Sequence, residues 1–315
     1  MNPTNPDSYI FGPVPSRRLG MSLGIDLIPA KTCTFDCLYC QVGRTSLKTV
    51  ETKPFVPVDE VIEQIKKRLM QGTPDTVTLA GSGEPTLHSQ LDRVIASIKE
   101  MTTTKVALLT NGSLFWREEI RRRASDADII LPTLSTAFEH TFRKIHRPHP
   151  ELTLQAVIQG LQMLRQDYRG QLFLEVVLLA GINDTEEEVK GLKTVIEQVS
   201  PEKIQLNTVV RPPSDFKAVA LDRKRLEEIK VFLGEKAEIV AKIPLLGKSR
   251  MQEDSLISGF LDMLKRRPLG CADIAKALHL STEEVEGLVK GLLSKGCIRT
   301  QKHLGDTYYL SNEDV

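Results

Sequence analysis

The chain has 315 residues, of which 41% are hydrophobic and 26% charged, a composition typical of a globular protein with one large core and a small second domain. Its 42 basic and 41 acidic side chains leave a net charge of +1, which gives no overall attraction to nucleic acid or anionic lipid. The first eight residues are polar and no apolar run approaches the ~18 residues of a membrane span, so we expect a cytoplasmic protein without a membrane partner.

Apolar runs typical of strands alternate with amphipathic stretches typical of helices, which indicates an α/β fold with a parallel sheet. The predicted strands are Ser22–Ile28, Thr76–Ala80, Lys105–Thr110, Asp128–Leu134, Gln171–Leu179, Lys203–Val209 and a seventh candidate, Ala237–Lys242. The predicted helices include Val58–Met70, Leu91–Met101, Phe115–Ala124, Leu152–Asp167 and Thr185–Val199. A complete eight-unit barrel needs about 250 residues. Because the strands end after six or seven units, the pattern predicts an open, partial (β/α)6 TIM-like barrel over residues 1–245.

A different pattern follows a predicted linker at residues 246–253. The predicted elements there are Asp254–Lys265, Cys271–Leu278 and Ser281–Ser294 as helices and Cys297–Leu310 as a ribbon. This order predicts a small winged-helix-like domain over residues 254–315. Acidic and basic residues are balanced in it, and its third helix begins with Glu283 and Glu284. Strong duplex DNA binding is therefore not expected, because such binding depends on neutralising phosphates.

Three of the five cysteines, Cys33, Cys37 and Cys40, follow the first predicted strand with the spacing C-x3-C-x2-C. In a reducing compartment such a group favours metal or redox chemistry over disulfides. Structural zinc sites and ordinary iron–sulfur clusters use four protein ligands, so three thiolates indicate an open metal position filled by a ligand that is not protein. A zinc site completed by a distant histidine is the alternative. Cys271 and Cys297 are interpreted as buried free thiols.

With Tyr39 directly before Cys40, this segment resembles the cluster motif of the radical S-adenosylmethionine (SAM) superfamily, and the resemblance covers roughly residues 9–245. It implies a [4Fe-4S] cluster held by Cys33, Cys37 and Cys40, with the amine and carboxylate of SAM on the open iron. It also implies an electron donor such as flavodoxin or ferredoxin. The electron would cleave SAM to methionine and a 5′-deoxyadenosyl radical.

Segments after the later strands resemble SAM-binding motifs of the same family. Ala80–Pro85 resembles its G-G-E segment, with Ser82 in place of the first glycine, and Thr110-Asn111-Gly112 its T-N-G turn. Pro132–Ser135 corresponds to S-L-D, and Phe142–Pro148 to F-x-K-I-N-R-P. The residues that the resemblance assigns to SAM are Tyr39, Gly83, Glu84, Thr110, Asn111, Thr133, Ser135, Arg147, Asn183 and Asn207.

A narrower resemblance lies upstream of the cysteines. Gly12–Gly20 and the following Ser22–Asp26, together with Arg211-Pro212-Pro213, look like an uncharacterised radical SAM group related to the tRNA wyosine synthetases. The resemblance makes tRNA the leading substrate class. Arg17, Arg18 and Arg211 are the predicted substrate contacts, because a guanidinium group can clamp a phosphate or carboxylate. No cysteine precedes Cys33, so a second cluster of the wyosine type, and wyosine formation itself, are not expected.

Three functions remain open. The first is an enzyme that uses the deoxyadenosyl radical to abstract hydrogen from an RNA, a protein or a small molecule. The second is an activase that installs a radical on a partner protein, with the C-terminal domain as its docking module. The third is an iron–sulfur sensor with a DNA-binding winged helix, although a sensor needs no SAM pocket.

Overall fold

The computed structural model describes residues 8–240, 260–261, 263–264, 267–278 and 280–312. The predicted linker at 246–253, most of the predicted helix Asp254–Lys265 and the last two residues of the predicted strand Ala237–Lys242 lie outside the described residues.

The larger unit is built on an eight-stranded sheet. In chain order the strands of this unit are β1 (Ile10–Ser16), β2 (Gly20–Ile25), β3 (Thr32–Cys33), β4 (Leu47–Lys48), β5 (Thr76–Leu79), β6 (Lys105–Thr110), β7 (Ile129–Pro132), β8 (Gln171–Val177), β9 (Lys203–Asn207) and β10 (Ala237–Ile239). The spatial order is β1-β2-β5-β6-β7-β8-β9-β10, while β3 and β4 form a separate pair. From β2 to β10 every neighbouring pair is parallel. The sheet confirms the predicted α/β class and agrees with a partial barrel whose edges are β1 and β10.

Amphipathic helices separate the parallel strands and bury their apolar faces against the sheet. They are α1 (Val58–Leu69), α2 (Leu91–Met101), α3 (Glu118–Ala124), α4 (Glu139–His146), α5 (Leu154–Asp167), α6 (Glu186–Val199) and α7 (Arg223–Leu233). Their buried residues, such as Ile65, Ile98 and Leu161, join one core with the strands. The helices α4 and α7 were not predicted. Among the helices that the structure describes, none combines the length and apolarity of a membrane span.

The strand β1 was also not predicted, and the predicted first strand Ser22–Ile28 lies instead at Gly20–Ile25. Pro13 and Pro15 within β1 lack the amide hydrogen that a central strand needs, which is why the sequence argues against a strand there. The structure accommodates both prolines because β1 is an edge strand, paired only with β2 and antiparallel to it.

The inside of the partial barrel is layered, since alternate residues of each strand point inward. An apolar layer near the amino ends of the strands consists of Leu19, Ala107, Ile129, Leu131 and Phe173. Two residues further along β7 and β8, the inward positions are polar, Thr133 and Glu175. The barrel interior is therefore apolar at its amino end and polar toward the carboxyl edge.

A smaller C-terminal unit packs against β1. It contains β11 (Leu269–Gly270), α8 (Cys271–Leu278), α9 (Thr282–Ser294), β12 (Ile298–His303) and β13 (Asp306–Ser311), with an antiparallel sheet in the order β11-β13-β12. Val14 of β1 belongs to the same apolar cluster as Ile274 and Val285 of this unit. The helices α8 and α9 and the strands β12 and β13 match predicted elements, whereas β11 was not predicted. The winged-helix assignment stays a prediction. Cys271 and Cys297 are free thiols, partly rather than fully buried.

The N-cap of α6 offers a test of local stability. The Thr185 hydroxyl accepts a hydrogen bond from the Glu188 amide at 3.3 Å, as an N-cap residue does. We expect Thr185→Ala to lower the free energy of unfolding by about 1 kcal/mol, because a capped amide becomes unpaired. Urea unfolding measures this change. The matched control is Thr194→Ala, an exposed position inside the same helix, where no comparable loss is expected; equal losses at both positions would contradict the capping role.

Candidate functional site

The three clustered cysteines lie on the long connection between β2 and α1, at the carboxyl edge of the sheet, where TIM-type barrels bind ligands. Cys33 ends β3, and the Cys40 amide donates to the Cys37 carbonyl at 3.2 Å. All three thiols are free and partly buried. Burial, and then the nearby Glu84, raise the pKa of Cys33 to about 12, while burial and the other two cysteines raise the pKa of Cys37. A bound cation would favour the thiolate forms.

The cysteine loop is fixed by backbone hydrogen bonds to the end of α4. The Asp36 amide donates to the His146 carbonyl and the Leu38 amide to the Ile145 carbonyl, both at 2.9 Å. The helix stops there because Arg147 adopts a left-handed conformation with a φ of 43°. The cysteine loop is therefore held on both sides of Cys37 by a helix more than a hundred residues later in the chain.

His146 is a site residue that the sequence reasoning missed. Its side chain is 2% exposed, and its Nδ1 atom lies 3.3 Å from both the Cys37 sulfur and the Tyr39 hydroxyl. The rings of Phe35 and Phe142 pack around it. Burial lowers the pKa of His146 to about 3, so the imidazole is neutral. The one available signal was its position in the F-x-K-I-N-R-P-like segment, where it replaces the asparagine.

The segment after β5 is pressed against the strand that carries the first cysteine. A Cβ atom on Gly83 would lie 2.0 Å from the Thr32 carbonyl oxygen and 2.5 Å from a methyl group of Ile28, so only glycine fits. The departure at Ser82 also has a structural reason. Its amide and hydroxyl donate to one Asp26 carboxylate oxygen at 3.0 and 2.6 Å. The glycine-rich character of this segment therefore serves close backbone approach.

Glu84 is almost fully buried, with 2% of its surface exposed. Its carboxylate accepts from the Thr86 amide and hydroxyl at 3.0 and 2.6 Å, from the Thr110 hydroxyl at 2.6 Å and from the Asn111 amide at 2.7 Å. Burial raises the pKa of Glu84, although these hydrogen bonds lower it. Glu84 thus ties the segment after β5 to the turn after β6. Its contact with SAM stays a prediction.

Asn111 connects that turn to the cysteine loop. Its Nδ2 atom donates to the Thr34 hydroxyl at 2.7 Å and lies 3.5 Å from the Cys33 sulfur. The following Gly112 has a φ of 74°, a conformation that favours glycine. Two of the predicted motifs, the cysteines and the T-N-G turn, therefore meet at Cys33.

Two other predicted SAM contacts, Ser135 and Asn183, are engaged with the protein itself. The Asn183 amide nitrogen donates to the carbonyls of Ser135 and Val177 at 2.8 and 2.9 Å, and its oxygen accepts from the Leu179 amide at 2.7 Å. The Ser135 hydroxyl accepts from the Val177 amide at 3.1 Å. Both residues are 1% exposed, so they position the loops after β7 and β8, and their SAM contacts stay predictions.

Arg147, the predicted partner of a carboxylate, forms ion pairs within the chain. Its guanidinium group contacts the Asp215 carboxylate and lies 3.6 Å from that of Asp36. The side chain is 29% exposed. A contact with the SAM carboxylate stays a prediction, and it would have to compete with these two acidic residues.

The polar layer of the barrel interior brings predicted SAM contacts and predicted substrate contacts together around Glu175. The Thr133 hydroxyl and the Asn207 amide donate to its two carboxylate oxygens at 3.0 and 2.9 Å. Arg18 forms an ion pair with the same carboxylate, and Arg17 donates to the Asn207 side chain at 3.3 Å. Sequence reasoning did not find Glu175, because its side-chain partners Arg18, Thr133 and Asn207 come from three other segments of the chain.

The loop after β9 links this layer to the cysteines and to the C-terminal unit. Arg211 in this loop is 6% exposed and pairs with Asp273 of α8 at 3.1 Å. It also donates to the side chain of Gln41, the residue after Cys40, at 3.3 Å. Three positions further on, the Ser214 hydroxyl donates to the Cys37 carbonyl at 2.8 Å. Arg211 therefore lies beside both the cysteine loop and the C-terminal unit.

The donor set at this edge fits an iron–sulfur cluster. It offers three thiols on one loop, with the Asn111 amide nitrogen and the neutral His146 ring close to two of them. Among the residues that the structure describes, no three His, Cys, Asp or Glu side chains already stand at the spacing of a metal site.

This chain is similar to a known protein family and to several known proteins. A family model described as "Radical SAM superfamily" matches residues 27–192. UPF0026 protein MJ1312 of Methanocaldococcus jannaschii is 32% identical over 311 residues, which cover 96% of this chain and 95% of that protein. A protein named GTPase Obg from Brachyspira hyodysenteriae is 34% identical over 306 residues, 96% of this chain but 45% of that protein. Streptococcus suis SuiB, crystallised with its precursor peptide SuiA, has a similar fold with a TM-score of 0.53 at 12% identity, over 69% of this chain and 48% of SuiB.

Proposed function

Because the chain belongs to the radical SAM superfamily, and within it to the family of UPF0026 protein MJ1312, we propose that it is an enzyme that cleaves SAM reductively at a [4Fe-4S] cluster. With SAM bound, the cluster would supply a 5′-deoxyadenosyl radical that takes a hydrogen atom from the substrate. The proposed electron donor is a flavodoxin or ferredoxin, in the cytoplasm. A tRNA substrate stays part of the proposal, on the wyosine resemblance alone.

The observation that carries the proposal is the meeting of three motifs at the carboxyl edge of the sheet. Glu84 holds the Asn111 amide, and the Asn111 side chain reaches Thr34 and the Cys33 sulfur. A zinc site would need only the thiols and a fourth ligand. Zinc binding would give the glycine segment and the T-N-G turn no role, whereas a cosubstrate bound beside the metal would contact both.

Different residues at this edge would bind the cluster, SAM and the substrate. Cys33, Cys37 and Cys40 would hold three irons, and the Asn111 amide would donate toward the Cys33 sulfur. Gly83 lets the backbone of its segment lie against the cysteine strand, where backbone oxygens can accept from an ammonium group. The C-terminal unit, proposed to be a winged helix, would position the substrate or a partner.

The test is SAM cleavage by the full-length protein. Anaerobically cluster-loaded protein, reduced with dithionite, should convert SAM to 5′-deoxyadenosine, and the substrate-bearing fraction of a cell extract should raise the rate. Liquid chromatography of the nucleoside product measures it, with unreduced protein as the control. Stimulation by small molecules or RNA favours the hydrogen-abstracting enzyme, and stimulation by a protein fraction favours the activase. Reduced, fully loaded protein that never yields 5′-deoxyadenosine would refute the proposed function.

A further inference from the structure

Four arginines meet where the partial barrel contacts the C-terminal unit, and we call them the arginine cluster: Arg17, Arg18, Arg211 and Arg267. They come from three separate parts of the chain, the turn after β1, the loop after β9 and the segment before β11. Burial, and then the charge of Arg211, lower the pKa of Arg17 to about 10. The same two causes, in the same order, lower the pKa of Arg267 to about 9. Arg211 thus acts as a like charge on the other three arginines, and the side chains of Arg17 and Arg18 meet at the Asn207–Glu175 pair.

Among the residues that the structure describes, the carboxylates paired with the arginine cluster do not balance its positive charge. Glu175 pairs with Arg18, and Asp273 pairs with Arg211, so the described ion pairs set two carboxylates against four guanidinium groups. The Nε atom of Arg211 is buried and has no hydrogen-bond partner among the described residues. A buried charge is costly unless it is paired, and a buried donor is costly unless it is bonded. The excess of two positive charges is what a dianionic ligand would neutralise.

We propose that the arginine cluster binds the phosphate group of a small substrate, between the partial barrel and the C-terminal unit. The substrate role rests on the function proposed above. Phosphate monoesters carry about two negative charges at neutral pH, and the planar fork of arginine matches phosphate oxygens in pairs.

Arg211 lies beside the cysteine loop, where the proposed reaction would take place. Arg211 donates a hydrogen bond to the side chain of Gln41, the residue that follows Cys40, so a ligand anchored at the arginine cluster would lie next to the cysteine loop. The phosphate end would be held there, and the rest of the molecule would extend toward the metal centre.

A small molecule fits the site better than an RNA backbone does. The side chains of Arg18 and Arg211 are only 11% and 6% exposed. A polymer that lies along the surface contacts exposed basic groups, whereas a small molecule can enter an interior site that buries most of its surface. The balanced charge of the chain, +1 overall, agrees with the small ligand.

Equilibrium dialysis of full-length, cluster-loaded protein against ³²P-labelled inorganic phosphate, without SAM or reductant, tests the site. We expect Arg211→Gln to weaken phosphate binding about tenfold or more, the effect of losing one charge-assisted contact. Asp273→Asn should have the opposite effect and tighten binding, because it removes a carboxylate that competes with the anion. If the Arg211–Asp273 ion pair were only structural, the two substitutions would not change phosphate affinity in opposite directions. The matched control is Arg93→Gln, which breaks a surface ion pair with Asp59 and should leave phosphate affinity unchanged.

The outcomes separate the two proposals. Phosphate binding with these variant effects, in protein that does not cleave SAM, would retain the anion site and refute the proposed function. The anion site would be overturned if the wild type bound no phosphate. It would also be overturned if the wild type, Arg211→Gln and Asp273→Asn bound phosphate with equal affinity. A 5′-dephosphorylated RNA oligonucleotide is the competing probe. RNA binding that Arg211→Gln weakens, without any effect on phosphate binding, would overturn the small-molecule class.

Discussion

Replacing Cys37 with alanine should abolish cluster assembly in the full-length protein. Wild-type protein reconstituted under anaerobic conditions should contain about four irons and four sulfides per chain, and the variant should retain almost none, because two thiolates cannot hold a four-iron cluster. Iron and sulfide analysis measures the change. Cys271→Ala and Cys297→Ala are the matched controls, since both cysteines lie in the C-terminal unit. Loss of iron in either control would contradict a single cluster on the N-terminal cysteines.

Metal analysis of the same protein, for zinc as well as iron, distinguishes the cluster from a zinc site. Because the His146 Nδ1 atom lies 3.3 Å from the Cys37 sulfur, His146 is the histidine that could complete a zinc site with the cysteines. His146→Ala should leave the iron content of reconstituted protein near four, since the open-cluster assignment uses no histidine ligand. One tightly bound zinc per chain in the wild type, lost in His146→Ala, would support zinc instead.

Replacing Glu84 with alanine should destabilise the protein strongly. The substitution removes an acceptor that four donors share, two of them backbone amides, and leaves those donors buried. An unpaired buried donor costs about 1–3 kcal/mol. We therefore expect the free energy of unfolding to fall by about 3–5 kcal/mol, at the upper end of single substitutions. Urea unfolding measures it.

Two comparisons sharpen this expectation. Glu51→Ala removes a carboxylate that is 68% exposed and should change stability by less than about 0.5 kcal/mol. Glu84→Gln keeps one acceptor oxygen, so its free energy of unfolding should fall less than that of the alanine variant. In Glu84→Gln protein that retains its iron, SAM affinity should fall, because the carboxylate holds Thr110 and Asn111 in place. A stability loss in Glu84→Ala no larger than that in Glu51→Ala would contradict the role seen in the structure.

The parts of the fold that the sequence predicted are those where side-chain periodicity is strong. The buried run at Ile129–Pro132 and the amphipathic stretch at Leu91–Met101 read directly as a strand and a helix. The strand β1 was missed because Pro13 and Pro15 are unfavourable in a central strand, and nothing local shows that this strand lies at an edge.

At the site, motif spacing predicted residue types but not their contacts. Cys33, Cys37 and Cys40 could be singled out because all three lie within one short loop. The partners that hold the site come from distant segments: Glu175 is 157 positions from Arg18, and His146 is 109 positions from Cys37. Such contacts depend on the sheet order and on which side of a strand faces the barrel interior, and no short pattern in the sequence encodes either.

The loop after β9 connects the arginine cluster to the cysteine loop. Arg211 contacts the C-terminal unit, and Ser214, three positions later, holds the Cys37 carbonyl. A ligand that shifted this short segment at one end would change the contacts at its other end. If the proposed anion and SAM both bind, thermodynamic linkage requires reciprocity: the factor by which an anion at Arg211 changes the affinity of the metal centre for SAM would equal the factor by which SAM changes the affinity for the anion. The occupancy of each proposed site would then depend on the occupancy of the other.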